Sequence, residues 1–251
     1  MKKVTIGVFD SGVGGLWILK QLERTLPRYS YIYYADQAHI PYGSKTNEEI
    51  IAFSKEIVTF LLSKCCDVIV IACNSATSAA IDTLRKEFAV PFVGIEPAIK
   101  PASLQSKTKH IGVLATKVTT EGQRLQDSIE HFATDVDVHV HTGYGLVELI
   151  EEGKANTDEA ESLLRIYLEP MIKKNIDQLV LGCTHYAFLI KSIQEIVGDR
   201  VAIIDPAQAV VKRVRHILEE NNLMPNSNTT KPELYTSGDN VEKLNEIYKN
   251  L

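Results

Sequence analysis

The chain carries four cysteines, Cys65, Cys66, Cys73 and Cys183, and two of them share a setting. Cys73 ends the apolar run 67–72 and is followed by Asn74-Ser75-Ala76-Thr77. Cys183 ends the run 178–182 and is followed by Thr184-His185-Tyr186. Each run reads as a buried parallel strand that delivers its cysteine to the carboxyl edge of a sheet, where open α/β folds bind ligands. Each cysteine also stands at the expected start of a helix, whose free N–H groups and dipole stabilise a thiolate and bind carboxylates. A duplicated thiol suits one kind of chemistry. Moving a proton from one face of a carbon to the other, as in racemisation or epimerisation, needs a base on one face and an acid on the other. One cysteine as thiolate takes the proton, the other as thiol delivers one, and the roles swap in reverse. A reference thiol pKa of about 8.5 can be lowered toward that task. Cys65 and Cys66, at a helix end, read instead as small buried hydrophobes. The sequence has no Cys-x-x-Cys and no paired histidines near the cysteines, so a zinc cluster, another metal site or a disulfide framework is a poor reading.

Other polar residues gather at the same predicted edge. Asp10-Ser11-Gly12-Val13-Gly14-Gly15 follows the first strand and leads into a helix from Leu16. It is not a dinucleotide fingerprint, because Trp17 stands at the third glycine position, and no Gly-Lys-Ser/Thr follows to make a phosphate loop. The stretch is either a plain turn or a cradle for a short anion such as a carboxylate. Asp10 would then take a substrate ammonium or polarise a thiol. Asp36 and Pro41-Tyr42-Gly43-Ser44 form a second loop, either a turn alone or a clamp on a carboxylate. Thr116, Thr119 and Thr120 follow the fifth strand, opposite Asp10-Ser11 by the repeat described next, and read equally as helix cap or substrate ligand. His185, two residues after Cys183, is placed to set the protonation of that thiol, with Glu148 as the acid that orients it. His39, His110, His131, His139, His141 and His216 read as structural.

These residues need a scaffold of alternating strands and helices, which is an α/β fold with mostly parallel strands. Expected strands are 4–9, 31–35, 67–72, 92–95, 110–115, 136–141, 178–182 and 201–204, with a short one at 233–236. Thr46-Asn47-Glu48-Glu49 is a capping-box start to a helix whose face carries Ile50, Ile57 and Leu61. Pro206 marks the first position of another helix, and Pro170 is expected to bend or split the helical run 158–174. An internal repeat organises the whole. The segment 6–10 resembles 111–115, 67–73 resembles 177–183, and 96–98 resembles 205–207, at offsets of 105, 110 and 109. A single sheet is compatible with this. The simpler reading is two pseudo-symmetric parallel-sheet lobes with the active site in the cleft between them: 1–97 with 209–251 carrying Asp10 and Cys73, and 98–208 carrying Cys183 and His185.

Composition narrows the function classes. There are 32 acidic and 27 basic residues, for a formal charge of −5, and no basic cluster of note, so nucleic acid and anionic membrane are not expected partners. The apolar run after Met1-Lys2-Lys3 stops at Asp10, too short for a signal peptide, and no run approaches the length of a membrane span. The expectation is a reduced, cytoplasmic protein.

Taken together, Phe9–Gly15, Pro41-Tyr42-Gly43, Ala72–Thr77 and Gly182–Tyr186 resemble the glutamate racemases, in the aspartate/glutamate racemase superfamily, and Tyr235-Thr236-Ser237-Gly238-Asp239 belongs to the same likeness. The resemblance spans most of the chain, in family order. It implies a cofactor-independent two-base racemase that interconverts L- and D-glutamate, supplies D-glutamate for peptidoglycan, and forms a homodimer. It implies that Cys73 acts on D-glutamate with Asp10 assisting, and Cys183 on L-glutamate with His185 assisting and Glu148 orienting. Ser11, Tyr42, Gly43, Asn74, Ser75 and Thr184 would bind substrate, with Pro41, Ser44, Thr116 and Thr119 beside them and Asp36 in support. The chain departs from the family pattern at His39-Ile40, Ser75, Thr142–Gly145 and Ala187, positions that touch substrate preference and loop geometry rather than the proton-transfer groups. A racemase of aspartate, hydantoins or a wider amino-acid set, and a non-catalytic binding or regulatory protein, are the alternatives.

Overall fold

The computed structural model describes residues 3–251. In chain order the elements are β1 (Thr5–Asp10), α1 (Leu16–Thr25), β2 (Ser30–Ala35), α2 (Asn47–Ser63), β3 (Val68–Ile71), α3 (Asn74–Glu87), β4 (Phe92–Gly94), α4 (Ile99–Gln105), β5 (His110–Ala115), α5 (Lys117–Thr120), α6 (Gln123–Phe132), β6 (Asp137–Thr142), α7 (Leu146–Glu151), α8 (Asp158–Lys173), β7 (Gln178–Gly182), α9 (Ile190–Val197), β8 (Ala202–Ile204), α10 (Ala207–Glu220), β9 (Glu233–Thr236) and α11 (Val241–Asn250). The chain divides into two units, one of the residues up to Ile95 together with Ala207–Leu251, the other Glu96–Pro206. Each holds one sheet, and every strand pairing is parallel. Among the described residues no helix is long and apolar enough to cross a membrane.

The strand orders are β4-β3-β1-β2-β9 in the first unit and β6-β5-β7-β8 in the second. Read from the other end, the second sheet is β8-β7-β5-β6, the order of the first four strands of its counterpart. The register repeats as well: Gly7 lies opposite Ile69, and Gly112 opposite Leu179. Both glycines sit where a helix presses on the sheet. A Cβ on Gly7 would stand 3.0 Å from Cys66 Sγ and 3.1 Å from Leu61 Cδ1, and one on Gly112 2.7 Å from Met171 Sδ and 2.9 Å from Ile176 Cδ1. Leu61 and Met171, and Cys66 and Ile176, are themselves 110 residues apart, so the packing of helix on strand is duplicated along with the strands. On the opposite face of the second sheet, Ile111 and Val113 of β5 and Val180 of β7 join Ile99 and Ala102 of α4 and Leu125 of α6 in one apolar cluster.

Local chemistry explains the element ends. Thr46 accepts from Glu49 N (3.2 Å) while Glu49 Oε2 accepts from Thr46 N (2.8 Å), the reciprocal box that starts α2. Cys66 is buried, and burial pushes its thiol up to about 12, so it stays a neutral packing group. Cys65 differs from expectation: it is exposed, with φ of 60°. It forms the left-handed stop after α2, a role that Asn175 plays after α8 with φ of 59°. Pro170 neither splits nor ends α8, which runs unbroken from Asp158 to Lys173. Pro170 and Ile166, four residues earlier, are both exposed, so the carbonyl that loses its partner lies on the solvent side.

Asp177 ties the second unit together at the amino edge of its sheet. Its carboxylate accepts Ser106 Oγ at 2.7 Å, Lys107 N at 2.5 Å and Thr108 N at 3.0 Å. In the first unit Asp67 accepts Thr5 N at 3.0 Å. Burial opposes the charge on Asp177, but the donors from Ser106, Lys107 and Thr108 outweigh it and hold the carboxyl below its usual 3.8. A lowered carboxyl pKa gives stability that is present above the unfolded value and lost as the pH falls through the folded one. Asp177→Asn should therefore destabilise the protein by about 1–3 kcal/mol at neutral pH. Chemical denaturation of both proteins should show that gap closing as the pH falls below about 4; a gap that persists unchanged at low pH would refute the assignment.

Candidate active site

In the first unit the carboxyl edge of the sheet collects the residues from three chain segments. The pairing Asp10–Ala35 brings Asp10 beside the start of the Asp36 loop, and β3 ends one strand away, with Ala72 N donating to Phe9 O at 2.8 Å. Asp10 is fully buried, and its Oδ1 accepts Gly12 N at 2.8 Å, so the carboxylate folds the glycine turn around itself. Tyr33 OH donates to Gly12 O at 2.6 Å. A Cβ on Gly15 would lie 2.7 Å from Asp10 Cβ and 2.9 Å from Tyr33 Oη, so the last glycine of this turn is required by close packing. The turn is bound from two sides.

Cys73 caps α3. Its Sγ accepts Ala76 N at 3.4 Å and lies 3.8 Å from Ser11 Oγ. A helix N-terminus with an amide aimed at sulfur favours the thiolate. Ser75 and Thr77 are buried in the first turns of α3. Asn74 is buried too, and neither its Nδ2 nor its Oδ1 has a protein partner. A buried amide left this way costs about 1–3 kcal/mol, which a polar ligand would recover. On the neighbouring loop Tyr42 OH donates to Asp36 Oδ2 at 2.5 Å. Burial, then the adjacent Asp36 charge, push the Tyr42 phenol far above its usual 10, so it stays a neutral donor. Pro41 and Gly43 are half-buried on either side of Tyr42. Ser44 is exposed, and its hydroxyl is spent on Pro41 O at 3.0 Å.

The second unit builds its own edge. The pairing Ala115–Gly182 sets Thr116 and Cys183 at neighbouring strand ends, and a Cβ on Gly182 would come within 2.6 Å of Ala115 Cβ. Thr116 Oγ1 and Thr119 Oγ1 are 3.1 Å apart and both residues are buried. Thr120 is turned aside, donating to Lys117 O and lying 2.9 Å from Thr142 Oγ1. Thr184, His185 and Tyr186 are buried. Cys183 Sγ lies 3.9 Å from His185 Nδ1, and His185 Nε2 lies 2.7 Å from Glu151 Oε1. Carboxylate, imidazole and thiol thus stand in a row.

Two expectations are refined here. Cys183 does stand at the start of a helix, but a 3-10 one, Thr184–Leu189, with no amide capping its sulfur, and the α-helix α9 starts only at Ile190. The two thiols therefore rest on different supports. The acid within hydrogen-bond distance of His185 is Glu151, not Glu148. On α7 the buried residues are Leu146, Val147, Leu149 and Ile150. At about 100° per residue, Glu148 points opposite the centre of that face, whereas Glu151 falls at its margin beside Val147. Glu148 is accordingly exposed and Glu151 half-buried. That helical-wheel position is the signal in the sequence that distinguishes the two acids. Tyr33 is a second residue that the sequence reading passed over; alternation along β2 was its only mark. Among the described residues no group of three or more His, Cys, Asp or Glu is arranged to hold a metal ion.

Comparison with known proteins agrees with this architecture. The chain matches the family described as Asp/Glu/Hydantoin racemase over residues 13–214. It is 44% identical over 240 residues to the glutamate racemase of Herpetosiphon aurantiacus, covering 95% of this chain and 94% of that protein. Its structure is similar to that of the glutamate racemase isoform RacE1 from Bacillus anthracis, with a TM-score of 0.90, 31% identity, and coverage of 100% of this chain and 94% of that one. The glutamate racemase of Francisella tularensis, solved in complex with D-glutamate, gives a TM-score of 0.86 at 30% identity, covering 100% of this chain and 95% of that one. The fold built of two sheets of one strand order is thus shared with solved glutamate racemases, and the chain belongs to the Asp/Glu/Hydantoin racemase family.

Proposed function

We propose that this protein interconverts L- and D-glutamate by direct proton transfer between Cys73 and Cys183. The observation that carries the reading is the duplication. Cys73 and Cys183 occupy the same position after the same strand of two sheets with the same order and register. The likeness to glutamate racemases at 44% identity over nearly the whole chain supplies the substrate. The reaction requires the two sulfurs to reach opposite faces of one Cα. A thiolate on one face takes the Cα proton, the electron pair is left on carbon beside the carboxylate, and the thiol on the other face returns a proton with inversion. Cys73 acts on D-glutamate and Cys183 on L-glutamate. Asp10 assists Cys73, and His185, oriented by Glu151, assists Cys183. Amides of the Ser11–Gly15 turn and of the α3 start, with Ser11, Tyr42, Gly43, Asn74, Ser75, Thr116, Thr119 and Thr184, hold the substrate carboxylates and ammonium. On the same reading the product serves peptidoglycan synthesis, and the enzyme works as a cytoplasmic homodimer.

The direct test incubates the purified protein with L- or D-glutamate in D2O, without added cofactor, and follows the Cα proton by NMR and inversion by optical rotation. Exchange with inversion from both sides is expected; silence from both in a folded sample would sink the assignment. Cys73→Ser and Cys183→Ser should each lower racemisation by about 1,000-fold, because one poor base blocks the full transfer. Each should still wash deuterium into one enantiomer, Cys73→Ser into L-glutamate and Cys183→Ser into D-glutamate. Wild-type turnover in either would refute the two-thiol mechanism.

The carboxylate assignment has its own test. A racemisation has an equilibrium constant of one, so any variant must lose kcat/KM equally in both directions. Glu151→Gln should lose about tenfold both ways, on the low side of the usual worth of a positioned acid–base group. It should also enlarge the deuterium isotope effect with 2-deuterated L-glutamate, the enantiomer that Cys183 deprotonates. Glu148→Gln should stay within about twofold, as an exposed substitution does. The reverse pattern would return the orienting role to Glu148.

A further inference from the structure

The Tyr235–Asp239 stretch contributes no group to the proton transfer, yet the structure ties it to the Asp36 loop at several points. Strand β9 lies at the edge of the first sheet, parallel to β2, with Thr236 opposite Ala35. Ser237 N extends that ladder by donating to Ala35 O at 3.1 Å. This sets Ser237 beside Asp36, two hundred and one residues earlier in the chain. Its hydroxyl donates to Asp36 Oδ1 at 2.6 Å and accepts Ala38 N at 3.0 Å. Thr236 OH donates to Gln37 Oε1 at 2.9 Å and accepts Gly238 N at 3.0 Å. A Cβ on Gly238 would stand 3.1 Å from Gln37 Cβ, so the tail lies close against the loop.

Asp36 is 2% exposed, and a carboxylate that deep must be satisfied by donors. Three side chains converge on it: Ser237 on Oδ1, Tyr42 on Oδ2, and the His39 Nδ1 at 3.0 Å from both oxygens. The Ser237 bond orients the carboxylate so that Oδ2 faces Tyr42. His39, 39% exposed and stacked on Phe53 with centroids 3.9 Å apart, closes the outer side. The hydroxyl of Tyr42 is therefore aimed by a carboxylate that the C-terminal segment holds.

We infer that Ser237 is a positioning residue for substrate binding, acting through Asp36 to fix Tyr42 and the 37–44 loop. This rests on the glutamate reading above, in which Tyr42 and Gly43 hold substrate. Because Ser237 touches no reacting atom, its loss should act on binding. Ser237→Ala should raise KM about tenfold for both enantiomers, the scale of one lost hydrogen bond to a charged group, with kcat changed less than about threefold. Ser237→Thr, which keeps the hydroxyl, should restore KM. Hydrogen–deuterium exchange gives a readout that needs no turnover. In Ser237→Ala the amides of 37–44, Ala38 first, should lose protection while those of β5 and β7 keep theirs. Combined with Tyr42→Phe, Ser237→Ala should add little further to KM, since both act along one path. Unchanged exchange in the loop would overturn the inference, and so would loosened exchange with an unchanged KM. Wild-type protein inert toward glutamate would sink the glutamate reading by itself, and the exchange arm would still decide whether Ser237 holds the loop.

Discussion

A parallel sheet sends all its strand ends to one edge, and its register decides which residues meet there. That register is the constraint on which both half-sites depend. In the first unit it puts Asp10 level with Ala35 and one strand from the end of β3, so the turn after β1, the Asp36 loop and Cys73 converge. In the second it levels Ala115 with Gly182, so Thr116 and Cys183 leave the sheet side by side. Glycines protect the register from both directions. Gly7 and Gly112 let α2 and α8 close on the central strands, and Gly182 lets β5 and β7 approach at the edge itself. A slip of one residue would turn every inward side chain outward and carry the thiols away from their neighbours.

Beyond the shared frame, the two thiols differ in what supports them. Cys73 takes an amide N–H at the start of a 14-residue helix. Partial charge at a helix N-terminus is worth about 0.3–1 kcal/mol at exposed sites and up to about 2 kcal/mol when partly buried. Cys183 begins only a 3-10 turn and has no such amide; its neighbour is an imidazole held by Glu151. A backbone amide faces one sulfur and a carboxylate-held imidazole lies beside the other. Duplication preserved the position of the sulfur while the local turn diverged.

Much of this was legible in the sequence because it is local and periodic. The apolar runs located all nine strands to within a residue or two at each end, and Thr46 and Glu49 announced the start of α2. The offsets of 105 and 110 recur as equivalent positions in the two units: Gly7 and Gly112, Cys66 and Ile176, Asp67 and Asp177. What escaped was not periodic. Glu148 and Glu151 are both acids on one short helix, and only the position of the buried arc separates them. Cys65 follows a helix whose pattern cannot say which of two cysteines turns outward. The helix expected after Cys183 is a 3-10 helix, a distinction that residue types alone do not carry. The Ser237–Asp36 bond joins segments that only sheet pairing brings together, so nothing in either segment announces it.

The difference between the thiol supports bears on how a two-base reaction can balance. With an equilibrium constant of one, the proposed reaction cannot favour either enantiomer, and the enzyme must pass through both of its singly protonated thiol forms. If one sulfur were by far the better base, the form competent for the opposite direction would be scarce, and an idle enzyme would wait in the wrong state. Matched thiolate energies avoid that, but they need not come from matched surroundings. A capped helix acts continuously and is indifferent to pH in the neutral range. At Cys183 the support is a side chain instead, an imidazole whose far nitrogen lies 2.7 Å from Glu151 Oε1. Under the proposed mechanism the two supports therefore have to match in strength and not in structure, which is why a helix amide on one sulfur and a carboxylate-held ring beside the other are compatible with one reversible transfer.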